Sequence, residues 1–520
     1  MTKLNHTQLH TLLATDYRFA CDARDATSKY AVNLRTHVAE PLIIAANQSL
    51  YNKLVYRAVT TIVPETDEPY EIPSQNAVTT ALIIADHEAE QHTVLPARRR
   101  IRIHDDLWVD LGCDDGTGLH ITPDAVETAP VPDGVVWLRS ANIASMNGPV
   151  AGVDIHDAVA RFMRNIQQNR QTVVLLMALL VHNLIHPNGP GSQQPVLILT
   201  GSSGAGKTIG SLMYEDLGDP KKERTENAGG RIDIESLCMN VSKNSVHVLG
   251  NTQYIGADVW DTICTIVTGG SVSQRKLYSQ SDVVRWFINC QLVITSVTAG
   301  RLPEDIVTRM VHIEFAPRTN GSYTEQDLWS RWDEDRDVMR TGLWQLCSQV
   351  MRMERDGGIP ADHLNGRLRD FEKTLRAVDM LLDTNAEQAW LDSLGSEQAL
   401  QQSDDPILMA IIHKWDRIRG RTLTGSELYT LLKPTFDRLD TGNAGTKRKA
   451  PGSSNALSQR INRVIPAIEA LGIKVTPGLD SHRKIKTWLF EEGDDFSLPD
   501  DPIQQAMGFT DEQAEAFGIS

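Results

Sequence analysis

The octapeptide Gly201-Ser-Ser-Gly-Ala-Gly-Lys207-Thr208 constrains this chain more than any other segment. It meets the pattern G-x-x-x-x-G-K-[ST] in full and directly follows a short apolar run, Val196-Leu-Ile-Leu199. Glycines let a backbone wrap tightly and aim successive N–H groups inward, which is what a phosphate chain requires. The order predicts a buried strand, a phosphate loop and a helix running on from Ile209, with the helix dipole toward the anion. The residues expected to hold the nucleotide are Gly201, Ser202, Ser203, Gly204, Ala205, Gly206, Lys207 and Thr208. Lys207 is expected to reach the β- and γ-phosphates, and the Thr208 hydroxyl to bind Mg²⁺. The expected ligands are therefore ATP and Mg²⁺. A chance Gly/Ser loop would lack both the preceding strand and the helix-compatible segment that follows.

Strand-like and helix-like runs alternate from this loop to about Phe315, the pattern of an α/β nucleotide-binding core. Asp154 to Leu184 reads as two helices, and the apolar run Val173–Val181 is too short to span a bilayer. We read it as a buried helix packed on the core. The 520 residues divide into a mixed α+β region (1–150), the P-loop core (151–320), a helical lid or linker (321–395), a small unit (405–490) and an acidic tail (491–520). Asp383 to Asp405 reads as a polar linker. Arg98-Arg99-Arg100 precedes a strand around Leu107–Gly112 and is read as part of an exposed edge strand with solvated charges, in preference to a phosphate contact.

The net charge of −16 opposes DNA or an anionic membrane globally, so any nucleic-acid contact must be a local basic patch. Six scattered cysteines without C-x-x-C spacing argue against zinc and a disulfide framework. With a polar start to the chain, they point to a cytoplasmic protein with no membrane partner.

A P-loop ATPase places a carboxylate at the end of a second apolar strand to hold the metal's water shell. The matching strand here, Ser245-Val-His-Val-Leu249, ends in Gly250-Asn251. Nucleotide binding survives such a loss better than hydrolysis does. Asp258 and Asp261 on the next helix are possible substitutes, although aspartates at such positions are more often simply solvated.

From Trp108 to Phe315 the chain resembles AAA+ helicase-like ATPases of bacterial mobile elements and phages, related to MCM-like and superfamily 3 helicases. The pieces in order are Trp108-Val-Asp-Leu-Gly112, Gly201–Thr208, Asp219-Pro220, Gly250-Asn251, Thr268-Gly-Gly270, Arg275-Lys-Leu-Tyr278 and Leu302–Arg309. The resemblance implies an AAA+ core acting as a homo-oligomeric ring. It implies that Thr295 stands where the family has a γ-phosphate-sensing Asn, and Gly250 where it has Asp. Arg309 matches an arginine finger acting on a neighbour's nucleotide, with Arg301 as runner-up; a surface salt bridge weighs equally for either. Arg275 and Lys276 match a hairpin that tracks single-stranded DNA in the pore.

The C-terminal unit reads as three helices, Asp405–Trp415, Thr424–Leu432 and Ala456–Leu471, followed by a hairpin turning at Pro477-Gly478. That is the order of a winged-helix domain. Residues 446–489 hold nine Lys/Arg against two acids, the charge expected of a duplex-DNA contact. The candidates are Lys447, Arg448, Lys449, Arg460, Arg463, Lys484 and Lys486. Pro466 suggests a kink or an early start of the third helix. The tail from Glu491 carries nine acids and no Lys or Arg, and reads as disordered. The expectation is an oligomeric replication ATPase, helicase- or initiator-like, with any primase activity supplied by a separate partner. The alternative is a nucleotide-bound regulatory, structural or defence subunit that does not hydrolyse ATP.

Overall fold

The computed structural model describes residues 3–63, 68–187, 192–224, 232–250, 252, 255–275, 283–296, 302–317, 324–360, 362, 364, 367–403, 405–441, 450–469, 472–479, 485–493 and 496. The chain divides into two compact units, Met1–Leu391 and Asp392–Ser520.

The first unit opens with α1 (His6–Ala14), β1 (Tyr17–Asp22), β2 (Asp25–Asn33), β3 (Ala39–Pro41), α2 (Ser49–Thr60), α3 (Gln75–Ala89) and β4 (Thr93–Val94). The strands form one sheet in the order β3-β2-β1-β4, and the helices bury Leu9, Leu13, Leu54 and Leu82 in a core with Phe19. An antiparallel meander follows: β5 (Arg100–Ile103), β6 (Asp106–Val109), β7 (Thr117–Ile121) and β8 (Val126–Pro130). Trp137, 1% exposed, joins the two sheets, because its backbone bridges both Val38 and Ala97.

The core comprises α4 (Ile155–Ile166), α5 (Arg170–Ile185), β9 (Val196–Thr200), α6 (Lys207–Gly218), α7 (Ile234–Val241), β10 (Val246–Leu249), α8 (Ala257–Val267), β11 (Ser271–Arg275), β12 (Val283–Phe287), β13 (Gln291–Thr295), α9 (Glu304–Val307) and β14 (Met310–Glu314). Four strands pair in parallel in the order β10-β13-β9-β14. Side chains alternate across a strand. Val196, Ile198, Leu292 and Ile294 therefore meet α7 and α8 on one face, while the equally buried Leu197, Leu199 and Val293 point to the other. Helix α5 is buried from Val173 to Ile185, as its unbroken apolar run anticipates. Strands β11 and β12 pair as a separate antiparallel hairpin.

Helices α10 (Glu325–Arg355), α11 (Arg369–Leu382) and α12 (Ala386–Ser403) follow. α10 lies so close to α4 that a Cβ on Gly342 would sit 2.3 Å from that of Ala158. Helix α12 replaces the expected linker. Ala386, Trp390 and Leu394 recur every fourth residue and are all buried. A stripe that narrow is hidden in sequence by the surrounding Gln, Ser and Asp.

The second unit holds α13 (Pro406–His413), α14 (Trp415–Ile418), β15 (Arg421–Thr424), α15 (Gly425–Thr441), α16 (Ser454–Glu469), β16 (Ile473–Leu479) and β17 (Lys486–Glu492). Its antiparallel sheet runs β15-β17-β16 over a core of Ile411, Leu428, Leu457, Ile461, Trp488 and Phe490. Three expectations need correction. A short strand, β15, precedes the second helix. The residues expected to turn, Pro477 and Gly478, lie within β16 and pair with Trp488 and Thr487; β16 is an edge strand, so the N–H that proline lacks leaves no ladder bond unmade. The acidic segment does not begin outside the fold, since Glu491 and Glu492 belong to β17 and the Phe496 ring stacks on Trp415 at 5.4 Å. Residues 497–520 lie outside the described residues. Helix α16 starts earlier than Ala456, at Ser454, and continues through Pro466.

Candidate functional site

β9 delivers the chain into the glycine loop at the C-terminal edge of the parallel sheet, and α6 leaves it. Gly201, Gly204 and Gly206 have φ of +139°, +83° and +84°, a region closed to most side chains. Close approach adds a second constraint. A Cβ on Gly201 would lie 2.6 Å from the Phe315 carbonyl, and one on Gly210 would lie 2.6 Å from the Phe315 ring. Phe315 is itself fixed by its N–H donating to Thr200 O at 2.8 Å. The N-cap of α6 is Gly206, with no side-chain cap and no acid in the first turn. The free amides and positive dipole end are therefore left for an anion. Lys207 Nζ donates to the loop carbonyls of Gly201 (2.7 Å) and Ser202 (2.9 Å). Thr208 is exposed at the start of the helix.

Strand order decides what lies beside this loop. β13 is inserted between β9 and β10, which brings Thr295 to the neighbouring strand exit, paired in register with Leu199. Thr295 is 2% exposed, and its carbonyl accepts the Thr252 N–H at 3.0 Å. Ser296 Oγ donates to Thr252 O at 2.9 Å. Thr252 and Ser296, both missed from sequence, thus tie the second strand's exit to the third. Gly250 is buried there, and Asn251 lies outside the described residues. Asp258 and Asp261 are exposed on α8. Among the described residues, Glu314 is the carboxylate that ends a strand of this sheet; it is exposed on β14, opposite Thr200 in register.

Arg309 lies at the other end of the sheet. It immediately precedes β14, and its carbonyl accepts from Val196 N, at the entry to β9. It is 8% exposed, with Nη1 3.4 Å from Asp305 O. Five residues of strand, Met310–Glu314, separate it from the end of the sheet where the glycine loop lies. Arg301 and Lys276 lie outside the described residues, and of Arg275 the backbone alone is described.

The C-terminal end of α6 carries a dense ionic network. Asp219 accepts Arg99 Nε at 2.9 Å and the N–H groups of Ser245 (2.8 Å) and Val246 (3.3 Å). Arg99 also donates to the carbonyls of Asp110, Ala144 and Pro220. Asp110 in turn holds Arg139 through two 2.8 Å bonds and caps Gly112 N. Burial opposes the Asp219 charge, but Arg99 and Lys221 outweigh it and hold its carboxyl below the usual range. Burial pushes Glu215 up to about 7 despite its contact with Lys221. Asp216 accepts Trp332 Nε1 at 2.8 Å. The arginine run is therefore not a solvated edge. Arg99 and Arg100 are 1% and 4% exposed, and Arg100 bonds the Asn183 carbonyl and Asn289 Oδ1. Trp108–Gly112 and Asp219-Pro220, far apart in sequence, belong to one buried network.

In the second unit Arg460 is partly buried, with Nη2 3.6 Å from Asp405, the N-cap of α13. Lys486 is exposed at the start of β17. Of Arg463 the backbone alone is described, and Lys447, Arg448, Lys449 and Lys484 lie outside the described residues.

Residues 159–397 match the family model of the actinomycete integrative conjugative element replication protein. The match spans just under half of the chain and contains the P-loop, the parallel sheet and helices α10 and α11. In sequence this region is similar to replication proteins of mobile elements. No curated protein matches the chain significantly. Among solved structures, the chain is similar to SCCmec type IV Cch, described as an active helicase, at 10% identity and a TM-score of 0.47, covering 95% of this chain and 94% of that one. It is also similar to the C-terminal region of NrS-1 at 10% identity and a TM-score of 0.40, covering 93% and 99%. Among the described residues no helix is long and apolar enough to cross a membrane.

Proposed function

We propose that this chain is an ATP-binding, DNA-acting replication ATPase of a mobile element. The carrying observation is the site's construction: a complete phosphate loop between β9 and α6, with β13 inserted beside it so that Thr295 faces the loop's edge. The left-handed glycines and uncapped α6 fit a triphosphate, which Lys207 and the helix amides would hold, with Mg²⁺ on the Thr208 hydroxyl. Bound Mg²⁺–ATP supplies a polarised phosphoanhydride. The protein's part is to neutralise and orient it. Strand order and the family match favour an AAA+ type of core working as a ring. In a ring, Arg309 would act on a neighbour's nucleotide, since its own is out of reach.

The second unit supports a winged-helix reading. Its order is a helix with a short second turn of helix after it, a strand, two helices and two strands, with a three-stranded antiparallel sheet. With the excess of basic residues over 446–489, this favours duplex binding there and single-strand tracking by the β11–β12 hairpin.

One observation favours a second reading, a nucleotide-holding subunit that does not turn over. Gly250 directly follows the second strand, and Thr252, Thr295 and Ser296 around it carry hydroxyls where a carboxylate is expected. ATP binding and DNA-stimulated hydrolysis by the full chain separate the two. Hydrolysis abolished in Lys207→Ala supports the motor. Binding without hydrolysis, with cleavage gained in Gly250→Asp, supports the second reading.

A further inference from the structure

A cleft of about 750 Å³ lies within the first unit, between the N-terminal sheet and the base of the β11–β12 hairpin. One wall is the end of the β1–β2 pair, with Arg24 and Tyr30. The other is the close of β12, with Arg285, Trp286 and Phe287. The turn Thr268-Gly269-Gly270, to which neither nucleotide binding nor the fold core assigns a role, forms part of its lining. Arg285 is exposed, while Trp286 and Phe287 are half-buried. The Arg24 guanidinium stands 4.8 Å over the Phe287 ring and so reaches from one wall to the other.

The cleft's charge is positive. Asp22 is already matched by Arg24, through two 2.9 Å bonds. Asp25, on β2, is already engaged by Thr27 and Ser28, which hold its carboxyl below the ordinary range, with a smaller contribution from the charge of Arg285. Arg98 and Arg100 add two cations at the back, each donating to a backbone carbonyl. A cation beside partly exposed rings, here Arg285 beside Trp286 and Phe287, is the combination that unpaired nucleotides use: phosphates on guanidinium groups, bases on rings. The volume takes a short run of unpaired nucleotides and is too small for a duplex.

We propose that this cleft is a single-stranded nucleic-acid seat at the foot of the hairpin, with the exposed Arg285 on a phosphate, and Trp286 and the Phe287 face not covered by Arg24 stacking bases. The inference rests on the reading of the chain as acting on nucleic acid, and adds a binding surface contributed by the N-terminal sheet.

The test uses the full chain with fluorescent oligo-dT and oligo-rU probes of about 12 nucleotides carrying a photoreactive 5-iodouracil. Anisotropy gives affinity against salt, and mass spectrometry maps the cross-links. We expect cross-links on Trp286, Phe287 or Tyr30. Arg285→Glu should lower affinity roughly tenfold and reduce the salt slope by about one. Phe287→Leu, which keeps an apolar side chain, should weaken binding about fivefold or more with the slope unchanged. Cross-links confined to residues 276–282 or 406–490, with both variants binding as the parent does, overturn the seat and leave the nucleic-acid reading standing. No binding of either probe by the parent chain overturns both.

Discussion

The two ends of helix α6 are built on opposite principles. At its start the chain leaves polar capacity open: three left-handed glycines, uncapped amides, and a lysine whose partners are two loop carbonyls. At its end nearly everything is matched. Three buried acids, Glu215, Asp216 and Asp219, meet Lys221, Trp332 and Arg99, and Arg99 spends its remaining donors on backbone carbonyls. Closed networks carry structure, because removing one member strands a charge in low dielectric. An open loop carries binding, because its groups still have free energy to gain from a ligand. The contrast sorts the conspicuous motifs: the glycine loop is left open, as the proposed nucleotide site requires, whereas Trp108–Gly112 and Asp219-Pro220 hold the meander onto the core.

The largest effect should follow from breaking the closed end. Asp219→Ala leaves Arg99 buried without its carboxylate and removes the acceptor for Ser245 and Val246. Denaturant unfolding should show a loss of about 3–5 kcal/mol. Unfolding unchanged within about 0.5 kcal/mol would show the network to be ornamental. Acidification should come next. Burial lowers His186 to about 4 and His247 to about 3, and holds His182 well below its ordinary value. The unfolded chain binds protons at these rings near pH 6.5 while the folded chain does not. Their contribution is therefore present above pH 6.5 and lost as pH falls toward 4. At pH 5 each such ring costs about 2 kcal/mol. His186 should cost less, because Glu354 stands 3.6 Å away, although Arg102 holds that carboxylate at 3.1 Å. Melting profiles at pH 7 and pH 5 should separate, with the first unit unfolding earlier at the lower pH. The smallest effect on stability should come from the open end. Lys207→Ala removes only two bonds to loop carbonyls, one exposed and one part-buried, and should shift unfolding by about 1 kcal/mol or less. It should weaken nucleotide binding at least tenfold, since a charge-assisted phosphate contact is worth about 1.5–3 kcal/mol. Parent-like affinity in titration calorimetry would remove the lysine from the site.

How much was legible in sequence follows the range of each interaction. The strand, glycine loop and helix from Val196 to Gly218 are local, and each residue's conformational need is written in its own type. The buried α5 was readable from its unbroken apolar run. Helix α12 was not, because three apolar residues in a polar segment signal burial only once a partner surface exists. The arginine run was misread for the same reason: its acceptors include Asp219, the Pro220 carbonyl and the Asn183 carbonyl, 120, 121 and 83 residues away. Pro477 read as a turn because sequence shows the missing N–H but not that β16 would be an edge strand.

By itself, then, the sequence determined that a strand, a tight glycine loop and a helix would follow one another around Gly201–Thr208, that a carboxylate would be lacking directly after the second strand, and that basic charge would concentrate over 446–489. Those properties depend on residue type and near neighbours. The tertiary structure alone decided that β13 would lie between β9 and β10, setting Thr295, Thr252 and Ser296 beside the loop. It also placed Arg309 at the far edge of the sheet, and brought Arg24 and Phe287 face to face across a cleft. Each of these is a pairing between distant segments, fixed by which surfaces could be buried together and not by any preference of the residues themselves.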